Sequence, residues 1–126
     1  MLRSLVCFAL VLSLSACACL RGPAWVQDSL YFGQDEQGLA ISAQRWEAFV
    51  AAEVTPRFPD GLTQWPAQGQ WQEGAKVLKE GSRVLVLIHA PGADAEAKIL
   101  AIREAYKKQF HQSSVLRVQE AVKADF

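Results

Sequence analysis

The apolar and polar positions alternate with two periods along this chain. Leu30 and Phe32 interleave with Ser29 and Tyr31, the period of two that marks a strand. Gly33 to Gly38 is a polar loop. Ser42 is suited to cap a helix, its hydroxyl accepting an otherwise unpartnered backbone N–H. Ile41 before it and Trp46 after it have the spacing of a hydrophobic staple. Trp46, Phe49 and Val50 then share one helical face. Pro56 ends this helix, because the residue before a proline avoids helical angles.

Leu62 to Trp71 reads as a strand interrupted by Pro66. A proline donates nothing to a β-ladder, so this strand is expected at an edge or with a bulge. Glu73-Gly74 is placed as a two-residue hairpin turn. Lys76 to Glu80 starts the return strand, Gly81 breaks it, and "RVLVLIH", Arg83 to His89, completes it. That placement sets Pro66 opposite Gly81, a suitable position for a bulge. Asp94 reads as the cap of a second helix, whose stripe is Ile99, Ile102, Tyr106 and Phe110. Glu104 and Lys108 have the spacing of a supporting pair on its outer side. Ser114 to Gln119 is a last strand. Internal repeats and low-complexity segments are absent from the sequence.

The resulting order, β-α-β-β-α-β, is the ferredoxin-like order of the α+β class. With right-handed crossovers, two helices cover one face of a four-stranded antiparallel sheet in spatial order 4-1-3-2. The second strand then falls at an edge, where Pro66 is tolerated. The strand "VLVLI" is apolar on both sides, with Val84, Val86 and Ile88 on one and Leu85 and Leu87 on the other. A sheet with one face in water should alternate. A second subunit is the simplest cover, so a homodimer packed sheet to sheet is expected, as in dimeric α+β barrels. The alternative is a partly exposed apolar face with long side chains folded over it.

Composition narrows the classes of partner. The chain has 126 residues, 51% apolar and 21% charged, which suits one globular domain. Net charge is zero, and Lys107-Lys108 reads as a solvated helix-surface pair. No nucleic acid partner is expected, since phosphate binding needs concentrated Lys and Arg. The start of the chain reads as a targeting leader. Arg3 precedes the apolar run Leu5–Leu14, too short to anchor across a ~30 Å hydrocarbon core. It ends in "LSAC", Leu14 to Cys17, which resembles the lipobox of bacterial lipoproteins. In that family the cysteine is acylated and the leader is cut just before it. "ACAC" also offers Ala16-Cys17-Ala18 to ordinary secretory cleavage, which would leave Cys19 first and unlipidated.

The expected organisation is therefore a signal peptide over 1–16, a lipidated tether over 17–25 and one domain over 26–126. The anchor at Cys17 makes the membrane a partner. Because alanine follows Cys17, resemblance to Gram-negative sorting patterns favours the outer membrane, facing the periplasm. The domain has no cysteine, so its core alone holds it together. Cys19 reads as an inert thiol in the tether.

The assembled pieces resemble DUF3574, a bacterial family of unknown function. They are "YFG" at Tyr31 to Gly33, "TPRFPDGLT" at Thr55 to Thr63, "GQW" at Gly69 to Trp71, "LIH" at Leu87 to His89, and "AYKKQF…SVLRV" from Ala105 to Val118. The resemblance implies a small secreted or lipid-anchored envelope domain and supplies no activity.

Candidate chemistry is sparse. The sequence has no nucleophile elbow, phosphate loop or metal-spaced His/Cys cluster. His89 and His111 are its two histidines, so no metal and no cofactor is expected. The topology brings Arg57, Asp60, His89 and the start of the second helix near Asp94 to one end of the sheet. His89 could act there as acid or base, Arg57 could hold a carboxylate or phosphate, and Tyr31 and Trp65 could line an apolar cavity between sheet and partner. The bland reading is that these residues lock the elbow, with Phe58 in the core. Trp46 reads as core, and Trp71 as an exposed contact residue near the hairpin tip. Ligand or partner binding stands first. Catalysis on a small aromatic or polyketide-like compound stands second.

Overall fold

The computed structural model describes residues 24–126. The leader, Cys7, Cys17, Cys19 and most of the tether lie outside the described residues. The elements are β1 (Trp25–Gly33), β2 (Asp35–Glu36), β3 (Leu39–Ala40), α1 (Ala43–Phe49) with a π-helical turn (Val50–Val54), β4 (Thr63–Glu73), β5 (Lys76–His89), α2 (Ala93–Gln109) and β6 (Leu116–Val122). The main sheet is antiparallel in the order β4-β5-β1-β6. This is the ferredoxin-like α+β arrangement, with β4 and β6 at the edges. The polar loop after β1 adds one feature, a two-stranded ribbon of β2 and β3.

One layer of side chains joins helices to sheet. Leu30 and Phe32 of β1 and Leu85 and Leu87 of β5 meet Trp46 and Phe49 of α1 and Ile99, Ile102 and Tyr106 of α2. Phe32 is the hub, edge-on to Tyr106 at 4.6 Å and to Trp46 at 5.1 Å between ring centroids. The polar ends of these aromatics are satisfied: Tyr106 donates to the Gly33 carbonyl at 2.5 Å, and Trp46 donates to the Gln64 side chain. Ser42 caps α1 by accepting from the Arg45 N–H at 3.2 Å. Ile41 and Trp46 are both buried, as the staple requires.

Four local expectations are corrected. The hairpin loop is Gly74-Ala75, one residue later than placed, because Glu73 still pairs with Lys76. Gly74 has φ +60°, which puts the glycine first in the loop, as a type II′ turn prefers. The later turn moves the register, so Pro66 faces Arg83 and Gly81 faces Gln68. Pairing runs without a bulge from Thr63 to Glu73. No bulge is needed, for a reason visible in the ladder. The Gly81 carbonyl accepts from the Gln34 N–H on the β1 side. By alternation Arg83 also bonds toward β1, so its partner Pro66 turns its missing N–H away from the sheet.

The other two corrections lie in α2. Its cap is Gly92, not Asp94. Gly92 has φ +149°, a conformation other residues avoid. Asp94 sits in the first turn and pairs with Lys98 at 2.7 Å. Glu104 pairs with Lys107 at 2.8 Å rather than with Lys108, one turn position away.

Candidate functional site

Two depressions flank the end of the sheet where β5 finishes. The first lies on the helix-covered side, between the elbow after the π-helical turn and the start of α2. Arg57, Phe58, Pro59, Asp60, His89, Asp94 and Lys98 line it, around about 420 Å³. The structure thus brings Arg57, Asp60, His89 and Asp94 to one place. It also occupies the functional groups of Arg57, His89 and Asp94. The Arg57 guanidinium donates to the Glu53 carbonyl at 2.6 Å and to the Glu53 carboxylate at 2.8 Å. Phe58 is buried with its ring 5.4 Å from that of His89. Asp94 is held by Lys98.

His89 is tied from both sides. Nε2 lies 2.8 Å from Oδ2 of Asp28, and Nδ1 lies 2.8 Å from the Ala90 carbonyl. Both partners are acceptors, so a ring that makes both contacts donates from both nitrogens. Neither nitrogen is then free to take a proton from a bound molecule.

Behind His89 runs an ionic chain. Asp28 is fully buried on β1. Arg117 of β6 grips it with a two-pronged contact, Nε to Oδ1 at 2.6 Å and Nη2 to Oδ2 at 2.9 Å. The same guanidinium donates to both oxygens of Glu96 on α2 at 2.6 and 2.7 Å, and Gln119 adds a bond at 2.9 Å. The chain links β5, β1, β6 and α2. Burial alone would raise the Asp28 carboxyl, but the Arg117 and His89 donors outweigh it and hold it below the usual carboxylate range. The bond from Arg117 is the main cause that holds Glu96 down at about 2, and Arg117 is itself pushed further up by Glu96 and Asp28.

Asp28, Arg117 and Glu96 were not singled out from the sequence. A signal was present. Asp28 shares strand parity with Leu30 and Phe32, which places a carboxylate on the buried stripe. Arg117 shares parity with buried Val115 in the same way. A charge on an apolar stripe calls for a partner.

Tyr31 and Trp65 are on the opposite, open face of the sheet and do not meet His89. They flank Val84 in one row, Tyr31 on β1 and Trp65 on β4. Val84 is only 3% exposed between them, whereas Tyr31 and Trp65 are 38% and 45% exposed. Nearer the end of this face is the second depression, about 450 Å³, lined by Trp25, Leu62, Thr63, Val86, Ile88 and Phe126. Phe126 packs edge-on to Trp25 at 5.2 Å. Asp60 lines both depressions. Among the described residues no group of three or more His, Cys, Asp or Glu could hold a metal ion, and no helix is long and apolar enough to cross a membrane.

Residues 27–126 match DUF3574, described as a protein of unknown function. The chain belongs to that family. No curated protein matches this DUF3574 chain. Solved structures do. A phage SAM lyase is similar in its apo state, with TM-score 0.61 and 15% identity over 79% of this chain and 82% of that one. The lyase in complex with S-methyl-5′-thioadenosine gives 0.60 and 16% over 85% and 88%. CutA from Synechococcus elongatus gives 0.53 and 7% over 80% and 79%. At these identities the likeness is one of fold alone, and it supports the ferredoxin-like assignment of the DUF3574 domain.

Proposed function

We propose that this DUF3574 protein is a lipid-anchored envelope domain that works by binding, and that its ligand site is the open-face depression beside Trp25. The observation that carries the reading is that depression itself: a concave, mainly apolar space with two aromatic walls, next to a helix-side depression whose Arg57, His89 and Asp94 are already paired. Concave apolar sites with a few polar groups at the rim are where small molecules bind. The ligand is small, ring-bearing and mostly apolar, with Asp60 available at the rim for a donor or a cationic group. His89 is a poor acid or base in this arrangement, because both its nitrogens are engaged, so binding stands ahead of catalysis. Cys17 carries the anchor, as the lipobox pattern implies.

Thermal unfolding of the full-length protein in detergent, followed by tryptophan fluorescence, tests the site with indole, 2-naphthol and 1-aminonaphthalene. A ligand that binds the native state at a hundred times its Kd stabilises it by about 2.7 kcal/mol and raises Tm. Val86→Trp, which fills the depression, should abolish the shift. If no compound shifts Tm, or if Val86→Trp responds as the parent does, the site is wrong. Fractionation tests the anchor: Cys17→Ser should move the protein from membranes to the soluble fraction, and persistence in membranes refutes lipidation there.

A further inference from the structure

β5 outruns its neighbour, with 14 residues against 9 in β1. Pairing with β1 stops at Ser82, followed by one bond from the Gln34 N–H to the Gly81 carbonyl at 2.9 Å. Among the described residues, Lys76–Glu80 pairs with β4 alone. The hairpin therefore projects past the four-stranded sheet as a two-stranded ribbon. Such a ribbon is marginal by itself in water, and its free edge shows unpaired N–H and C=O groups. Gly81 faces β1, so alternation aims the backbone groups of Val77 and Lys79 out of that edge.

The main sheet has two outer edges, and they differ. On β4, Gln64, Pro66, Gln68 and Gln70 face outward, and Pro66 breaks the row of donors. Prolines on edges of this kind prevent pairing. On β6 no proline intervenes. Ser29 and Gln27 of β1 bond toward β6, so their partners Val118 and Glu120 face inward. Arg117, Gln119 and Ala121 aim their backbone groups outward.

We propose that a second copy of this chain is the partner, seated by pairing the free β5 edge of one subunit with the outer β6 edge of the next. The faces agree. In an antiparallel pair, directly opposed residues share a face. Pairing Val77 and Lys79 with Arg117, Gln119 or Ala121 aligns the helix-covered sides and so also aligns the open sides. Trp71 and Leu78 of the ribbon then join Leu116 and Val118 of the neighbour in one apolar surface, covering side chains that are 45%, 59% and 39% exposed for Trp71, Leu116 and Val118. The charges agree as well. Lys76 of the ribbon shares the open side with Glu120 of the strand it meets, whereas pairing ribbon with ribbon would crowd four lysines. The contact is head to tail, so each subunit has one donor edge and one acceptor edge, and the ring closes where the rotation allows. This edge contact differs from the sheet-to-sheet dimer expected from the sequence, and the ligand-site reading is independent of it.

Native mass spectrometry of the full-length protein, released from detergent micelles, tests the proposal. Val77→Pro removes an outward N–H and leaves the β4 ladder intact; Ala121→Pro does the same on β6 without touching β1. The parent should be an assembly and each variant a single chain. Gln70→Pro, on the outer edge of the same hairpin, should remain assembled. Mixing the two disrupted variants should give a heterodimer and nothing larger, since one intact pair of edges survives between them. Circular dichroism at the parent's level shows that each variant is folded. A monomeric parent, an assembled Ala121→Pro, or a mixture that stays monomeric overturns the proposal.

Discussion

The two sides of β1 follow different rules. Asp28, Leu30 and Phe32 face the helices and are fully buried. Each has its contacts inside the chain: the leucine and phenylalanine in one core cluster, the aspartate between a histidine and an arginine. Tyr31 and Ser29, on the other side, face neighbours of their own sheet, and Tyr31 stays more than a third exposed. One side is finished by the fold. The other is apolar and still open, with Trp65, Ile88, Leu116 and Val118 also exposed on it. The lesson is that a single strand, residue by residue, completes the core on one face and leaves the other for the binding proposed above.

The most damaging way to break this contrast is to empty the covered side. Phe32→Ala should lower unfolding free energy by about 3–5 kcal/mol, while Tyr31→Ala, its neighbour, should change it by about 0.5 kcal/mol as surface substitutions do. Urea denaturation of both variants checks the ratio; equal losses would mean that the open side is core as well.

Next in size is the ionic chain. Arg117→Met leaves the Asp28 carboxylate buried with His89 alone and should cost about 3–5 kcal/mol. Replacing Asp28 by Leu in the same chain should recover part of that loss, because no charge is then stranded. A double variant no more stable than Arg117→Met alone would show that Asp28 is not the group left exposed to the penalty.

A gentler probe is acid. Asp28 and Glu96 have folded values below their unfolded ones, so their contribution is present above the ordinary carboxylate value and is lost as pH falls through the folded value. For Glu96 that window runs from 4.5 down to about 2. Stability of the parent should therefore decline below about pH 4, and Arg117→Met, lacking the shared donor, should show a flatter profile. Parallel profiles would separate Arg117 from this acid response. A smaller loss than at the core or the ionic chain is expected at the helix cap: Ser42→Ala should cost about 1 kcal/mol, read as a small drop in Tm, and no change would mean that the hydroxyl bond is replaced by water.

How far the chain could be read follows from the same two faces. Elements with a strong period and a single buried side were legible: the β-α-β-β-α-β order, the Trp46 and Phe49 face, and the stripe from Ile99 to Phe110. The capping serine was legible because its chemistry is local. The hairpin slipped by one residue because Gly74 can sit at either position of a tight loop, and the slip moved Pro66 away from Gly81. The cap of α2 was misassigned because a glycine cap leaves no side-chain signature. In the candidate site, position was legible and occupancy was not. His89 and Arg57 do reach one end of the sheet, but their partners Asp28, Ala90 and Glu53 depend on ring and guanidinium orientation. Tyr31 and Trp65 lie on the open face, away from His89, because they have the opposite strand parity.

The grip of Arg117 on Asp28 has a temporal meaning too. It joins the first strand of the domain to the last, so it closes only when nearly the whole chain is in place. A contact that closes after the rate-limiting step of folding acts mainly by slowing the reverse reaction. The clasp between β1 and β6 would then set how long a folded molecule persists, rather than how quickly it forms.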